Sequence, residues 1–181
     1  MKRFCTTLIA IFACCLHAVP GAALDLTPVR RTTIVTADPE ASLAFYRDLL
    51  GFSVEYDRRS TDSATLAILA PGASEGRAIA LRHGPSLGGS IGLFWTPGLT
   101  PPAKPCPNPA PAGAVSILLL TDDLVALKAR LDAAGVMPVA PTISYQNSRG
   151  PTDAYAVFDP NCVRVTFARN YAETLSESLQ K

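Results

Sequence analysis

The chain has 181 residues, 48% of them hydrophobic and 17% charged, a composition that supports a sizeable core and argues against global disorder. The formal net charge is +1, and the basic residues form neither blocks nor aromatic-basic runs, so nothing indicates nucleic-acid binding. The length fits one domain or two small fused modules.

Residues 1–23 have the pattern of a secretory signal peptide. Lys2 and Arg3 give a positive start, residues 4–18 are apolar, and small residues lead to a cleavage site after Ala23. A transmembrane anchor fits less well because the apolar run is short. A lipoprotein also fits less well, because Phe12 is bulky where such motifs have small residues. We therefore expect a periplasmic or secreted protein, with no membrane contact after cleavage.

Cleavage at this point changes the inventory of reactive side chains. Only Cys106 and Cys162 remain of five cysteines, and His83 remains as the single histidine. In an oxidising compartment the two cysteines either form a disulfide or stay as free thiols, and the sequence leaves both open.

The first half contains one helix with its own start and stop. Asp38 is suited to the N-cap, Pro39 to the first helical position, and Gly51 to the position just after the helix. Apolar residues recur between them at helical spacing. The flanking patterns predict strands at 31–36, 52–58, 77–83 and 90–95, and leave 62–69 as either a short helix or a strand.

A linker follows at residues 97–113 and holds seven prolines. Such a run cannot join a sheet ladder and favours extended structure. A proline-rich docking motif is the alternative, but periodic segments resume directly afterwards, which favours a spacer.

The second half repeats the first. A shift of 84 positions places Asp38 on Asp122 and Gly51 on Gly135, which indicates an internal duplication. The patterns predict strands at 115–120 and 136–140, a helix at 122–135, a polar loop or irregular strand at 143–153, a hairpin of 154–158 with 163–168, and a polar tail at 170–181.

The element order is therefore β-α-β-β-β, a linker, and β-α-β-β-β again. Helices are too few to cover both faces of each sheet. We expect an α+β fold of two βαβββ modules, at 30–96 and 114–169, whose curved mixed sheets surround a shared cavity.

The run at 31–52, RTTIVTADPEASLAFYRDLLGF, resembles the first module of the vicinal oxygen chelate superfamily, which includes glyoxalase I, bleomycin-resistance proteins and extradiol dioxygenases. The segment at 158–165, FDPNCVRV, is similar to the closing half of the same family. The resemblance covers residues 30–168. It implies paired βαβββ modules around a cavity that usually holds a divalent metal.

The family's metal ligands are histidine on the first strand of a module and glutamate or histidine on the last. Here the resemblance places Arg31 and either Val115 or Ser116 at the first-strand positions, and Thr166 at a last-strand position. Arginine cannot ligate a metal, because its guanidinium stays protonated. No Asp or Glu occurs at 76–121, which covers the other last-strand position. We therefore expect no metal and no cofactor, which puts glyoxalase and dioxygenase activity in doubt.

Other side chains are candidates for lining the cavity. If Thr166 points inward, as the family's ligand does, strand alternation points Arg164 the same way. With Arg31 from the first module, two arginines would suit a carboxylate or phosphate group. The aromatic candidates for a flat ligand are His83, Trp95, Tyr145 and Tyr155.

The sequence thus favours an exported, glyoxalase-like protein that binds a small anionic or aromatic molecule without a metal. The alternative is a metal-dependent lyase, isomerase or dioxygenase of the same superfamily. A third interpretation is an interaction module with a vestigial cavity. The modules could pair within one chain or across a homodimer.

Overall fold

The computed structural model describes residues 29–84 and 89–172. The predicted signal peptide, part of the turn before residue 90 and residues 173–181 of the predicted tail lie outside the described residues. Within the described part, no helix combines the length and the apolar character needed to cross a membrane.

The first module forms one four-stranded sheet. Its strands lie in the order β1-β4-β3-β2, with β1 parallel to β4 and the other neighbours antiparallel. The segment at 62–69, which the sequence left undecided, is helical. The elements are β1 (Arg31–Val35), α1 (Pro39–Leu43, continued by a π-helical segment, Ala44–Leu49), β2 (Ser53–Ser60), α2 (Ser63–Leu69), β3 (Gly76–Arg82) and β4 (Ser90–Trp95).

The second module repeats this arrangement, with strand order β5-β8-β7-β6 and β5 parallel to β8. The two mixed sheets confirm the predicted α+β fold of two βαβββ modules. The elements are β5 (Ser116–Leu120), α3 (Leu124–Ala133), β6 (Ile143–Asn147), β7 (Gly150–Phe158) and β8 (Arg164–Asn170).

The position of one strand and the end of another were predicted wrongly in the second module. Residues 136–140 are not a strand and contribute only an isolated bridge between Pro138 and Val157, since proline cannot donate to a ladder. The second strand of the module is instead β6, within the segment predicted as a loop or irregular strand. In addition, β8 continues to Asn170, so the predicted tail begins inside the sheet.

The helix starts show how the duplication is built. Asp38 caps α1 as predicted, accepting from the backbone N–H of Ala41 at 3.0 Å. In the second module Asp123, not Asp122, is the cap. The caps are therefore 85 positions apart, whereas the left-handed glycines after the helices, Gly51 and Gly135, are 84 apart. The π-helical segment after α1 holds the additional residue, since a π-turn is one residue wider than an α-turn.

One apolar core joins the modules through the helix-facing sides of both sheets. Its buried members include Ile34, Leu93 and Tyr46 of the first module and Leu131 and Val165 of the second. We call the side of each sheet opposite this core its open face. On the edge strands β1 and β5 these open faces are exposed, as Val35 at 53% and Leu118 at 62% show.

Candidate functional site

An open cleft of about 380 Å³ lies at the start of β1, on the open face of the first sheet. Its lining is dominated by arginine and consists of Arg30, Arg31, Glu55, Arg82 and Ser90. We call this set the arginine cleft. Parallel pairing of β1 with β4 places Arg31 directly opposite Ser90, so side chains distant in sequence meet there.

The Arg31 side chain is held in a fixed direction. Its Nε donates to Ser90 Oγ at 3.3 Å, and its Nη1 donates to the hydroxyl of Tyr56 on β2. The guanidinium carbon lies 5.2 Å from the centre of the Tyr56 ring, within the range of a cation–π contact. The aliphatic stem crosses Gly92, where an added Cβ would lie 2.9 Å from Arg31 Cδ.

The cleft carries an excess of positive charge. Glu55 pairs with Arg82 at 2.5 Å and with Arg31 at 3.9 Å. Among the described residues, the Arg30 guanidinium has no carboxylate partner. One carboxylate thus faces three guanidinium groups, a formal excess of two positive charges. Guanidinium groups present planar sets of donors that fit carboxylate and phosphate oxygens, so the cleft has the chemistry of an anion site.

The second sheet carries a transposed version of the same pair. In the first module β1 holds the arginine, Arg31, and β4 holds the serine, Ser90. In the second module β5 holds the serine, Ser116, and β8 holds the arginine, Arg164. Alternation along the strands also places Thr166 on this open face, together with Tyr145.

Arg164 does not share a cleft with Arg31. Its Nη2 donates to Asn108 Oδ1 of the linker at 3.1 Å, and its guanidinium lies 5.7 Å from the Phe158 ring. The prediction placed the two arginines in one concavity, whereas in this chain each lies on the open face of its own sheet. The reason is that the modules share the core on their helix-facing sides.

Two aromatic candidates lie on the helix-facing sides instead of the open faces. Trp95 pairs with Arg77 and lies under Arg59, whose guanidinium carbon is 5.8 Å from the ring. Tyr155 is only 1% exposed, and its hydroxyl donates to Asp132 of α3 at 3.2 Å. Both side chains therefore serve packing.

His83 lies just beyond β3 and is exposed. Its ring packs against Phe52, with centroids 5.2 Å apart and planes at 64°. His83 therefore packs at the edge of the first module's core and does not line the arginine cleft.

Sequence reasoning missed four of the five residues that line the arginine cleft, and it also missed the neighbouring tyrosine; these are Arg30, Glu55, Arg82, Ser90 and Tyr56. Adjacent Arg30 and Arg31 were visible as a basic pair. Glu55 occupies a β-bulge between Val54 and Tyr56, which breaks the strict alternation that would have assigned faces along β2. Arg82 reaches the cleft through its pairing with Ser53, which no local pattern specifies.

Cys106 and Cys162 form a disulfide that attaches the linker to the turn between β7 and β8. Lys104 lies beside it, donating to the Pro160 carbonyl at 3.2 Å. The cross-link holds the linker next to the start of β8 and so brings Asn108 to Arg164.

A buried acid locks the modules together away from the cleft. Asp159 is 1% exposed and accepts from the Tyr46 hydroxyl at 3.0 Å and from the backbone N–H groups of Asn161 and Val163. Burial raises the pKa of Asp159, although these hydrogen bonds act in the opposite direction. Burial, with the neighbouring Asp159 as a second cause, raises the pKa of Tyr46 well above its usual range. Tyr46 belongs to the first module and Asp159 to the second, so we assign this hydrogen-bonded pair to the interface between the modules.

The described residues do not bring together the donor set of the family's divalent metal. Among residues 29–84 and 89–172, no group of three or more His, Cys, Asp or Glu side chains could hold a metal ion. The corresponding strand positions carry Arg31, Ser116 and Thr166, and the arginine cleft offers one carboxylate among cations. These residues do not fit a divalent cation, which needs several converging neutral or anionic donors.

The sequence profile of the Glyoxalase/Bleomycin resistance protein/Dioxygenase superfamily matches residues 29–167, and the chain belongs to this superfamily. No curated protein matches the sequence significantly. A glyoxalase family protein from Bacillus cereus is similar in structure, with a TM-score of 0.67 at 14% identity over 82% of this chain and 98% of that one.

Two further structures show the same fold. The trypanothione-dependent glyoxalase I of Leishmania major has a TM-score of 0.56 and 18% identity, over 86% of this chain and 94% of that one. A glyoxalase/dioxygenase from Nostoc punctiforme has a TM-score of 0.57 and 17% identity, over 82% of this chain and 94% of that one. Identities this low carry the fold and not the activity.

Proposed function

We propose that this superfamily member is an exported binding protein that holds a small anionic molecule in the arginine cleft without the family's metal. The observation that supports the proposal is the convergence of Arg30, Arg31 and Arg82 on one cleft with a single carboxylate, Glu55. A carboxylate or phosphate entering there would exchange water for charge-assisted hydrogen bonds, which are stronger than neutral ones.

We infer that a planar ring on the ligand would lie against Tyr56, beside the charged group. The Tyr56 ring lies under Arg31, and its hydroxyl already accepts from that side chain. An aromatic carboxylate could place its acid among the arginines and its ring against Tyr56, since aromatic pairs stabilise one another in offset or edge arrangements. We therefore infer an aromatic acid as the ligand class, with benzoate as the simplest probe.

The test uses protein expressed from the full-length chain, so that the cell carries out any processing. Benzoate and the uncharged benzamide are titrated calorimetrically, and metal content is measured on the same sample. We expect benzoate to bind and benzamide to bind at least about tenfold more weakly, because the charge-assisted bonds are lost. Equal affinities would contradict the anion site, and a stoichiometric divalent metal would contradict the metal-free part.

Export and assembly belong to the same proposal. The apolar segment at 4–18 supports export, and a disulfide between Cys106 and Cys162 suits an oxidising compartment. Fractionation of cells and the mass of the mature chain would test it, with cleavage expected after Ala23. The homodimer stays a prediction, to be measured by sedimentation.

A further inference from the structure

The guanidinium of Arg164 is only partly satisfied. Its Nη2 donates to Asn108 Oδ1 at 3.1 Å. Its Nε is buried and has no hydrogen-bond partner in the described part of the chain. No carboxylate of the described residues pairs with it either. A buried N–H without an acceptor destabilises the fold, so its retention needs an explanation.

The two donors in question form one recognition edge. Nε–H and Nη2–H point outwards from the same edge of the planar guanidinium group, and such an edge can bind the two oxygens of a carboxylate. At Arg164, a neutral amide oxygen accepts from one half of this edge, and no acceptor from the described part of the chain meets the buried other half. Asn108 is therefore an incomplete substitute for an anion.

The amide is delivered by the linker, and the linker is fixed at this point. Cys106 precedes Asn108 by two residues, Cys162 precedes Arg164 by two residues, and the two cysteines are joined. Asn108 itself is exposed, and its amide nitrogen reaches the Val139 carbonyl only at 3.5 Å. The side chain that covers the edge is thus weakly held, whereas the backbone that carries it is cross-linked.

We propose that Arg164 anchors a second binding site, for a carboxylate or phosphate group, which the disulfide-held linker covers through Asn108. The site lies on the open face of the second sheet, opposite Ser116 on β5. The positively charged Lys104 is held by the Pro160 carbonyl in the turn that precedes β8, which adds to the attraction for an anion. An anion would displace the amide oxygen and also supply the acceptor that Nε lacks.

The test weakens the first site before it examines the second, so that the two proposals can fail separately. In protein carrying Arg31→Gln, inorganic phosphate is titrated calorimetrically with and without Asn108→Ala. We expect Asn108→Ala to tighten phosphate binding at least tenfold, because the edge is uncovered while the disulfide stays. Adding Arg164→Gln must abolish this gain.

Two further variants test the same site, one by uncovering the arginine edge and the other by filling it. Cys106→Ser with Cys162→Ser frees the linker and should tighten phosphate binding as Asn108→Ala does. Asn108→Asp places a carboxylate on the edge itself, so it should raise the melting temperature and bind phosphate no more tightly than its parent. If neither opening variant binds phosphate more tightly than its parent, or if the gain survives Arg164→Gln, the second site is wrong.

Discussion

Arg31 lies across Gly92, the residue on β4 that leaves space for its side chain. An added Cβ at Gly92 would be 2.9 Å from Arg31 Cδ and 2.8 Å from Thr33 Oγ1. Such distances are shorter than normal carbon contacts, so the neighbours would have to move. The absence of a side chain at Gly92 therefore directs Arg31 along the sheet towards Ser90 and Tyr56.

The first prediction follows from this contact. Gly92→Ala should displace the Arg31 stem and weaken benzoate binding several-fold, with a loss of about 1–3 kcal/mol in unfolding free energy from overpacking. Calorimetry and urea unfolding measure the two effects. Thr33→Ala is the matched control, because it changes the other neighbour and leaves Arg31 in place. Unchanged benzoate affinity in Gly92→Ala would show that the position of Arg31 does not govern binding.

The second prediction concerns the hydrogen bond between the modules. Tyr46→Phe removes a buried donor to Asp159 and should lower the unfolding free energy by about 1–3 kcal/mol. Urea unfolding gives the value. Tyr171→Phe is the control, since it removes a similar hydroxyl bond, to Asp153 at 2.6 Å, from a tyrosine that is 53% exposed. The interface assignment requires the loss at Tyr46 to exceed the loss at Tyr171 clearly.

The third prediction is a pH dependence with a definite sign. Burial raises the pKa of Asp159 above that of an unfolded aspartate, so the folded state holds this proton more tightly. Its contribution to stability is therefore complete below about pH 4 and is lost as pH rises through the folded pKa. The unfolding free energy of the wild type, minus that of Asp159→Asn, should fall as pH increases.

An opposite slope is expected at Asp153. Hydrogen bonds from Ser144 and then Tyr171 lower the pKa of this exposed carboxyl. Its contribution is present above the ordinary aspartate pKa and is lost as pH falls through the lower folded value. The unfolding free energy of the wild type, minus that of Asp153→Asn, should therefore rise with pH. If the two free-energy differences changed with pH in the same direction at Asp159 and Asp153, the opposite pKa shifts of these two groups would be contradicted.

The fourth prediction concerns the cross-link between the linker and the second module. The cysteines are 56 residues apart, and opening a loop of that size should cost about 4 kcal/mol in the chain-entropy model. Cys106→Ser with Cys162→Ser should lower the urea midpoint accordingly, and a dithiol reductant should act on the wild type alone. A midpoint unchanged by both treatments would show that the cross-link does not form.

The sequence predicts the fold well where the signals are local. Asp38, Pro39 and Gly51 specify the first helix because capping and left-handed turns depend on a few neighbouring residues. The second strand of module two was misplaced because a short apolar run at 136–140 resembles a strand, although Pro138 prevents a ladder.

The site was harder to predict, because strand faces depend on register. A shift of one residue moves every side chain to the other face, and the sequence left the register of the first module's last strand open. In the structure Arg31 shares its face with Gly92, which puts Trp95 on the helix-facing side. The bulge at Glu55 is also set by pairing with β3, which the sequence does not specify.

The central claim is that Arg31 binds an anionic ligand in the arginine cleft. It is tested most directly by calorimetric titration of benzoate into the wild type, Arg31→Gln and Arg149→Gln. Arg149 is an exposed arginine near the turn between β6 and β7, and its substitution makes the same charge change outside the cleft. We predict wild-type affinity for Arg149→Gln and at least about tenfold weaker binding for Arg31→Gln. Equal affinity in all three proteins would contradict the claim.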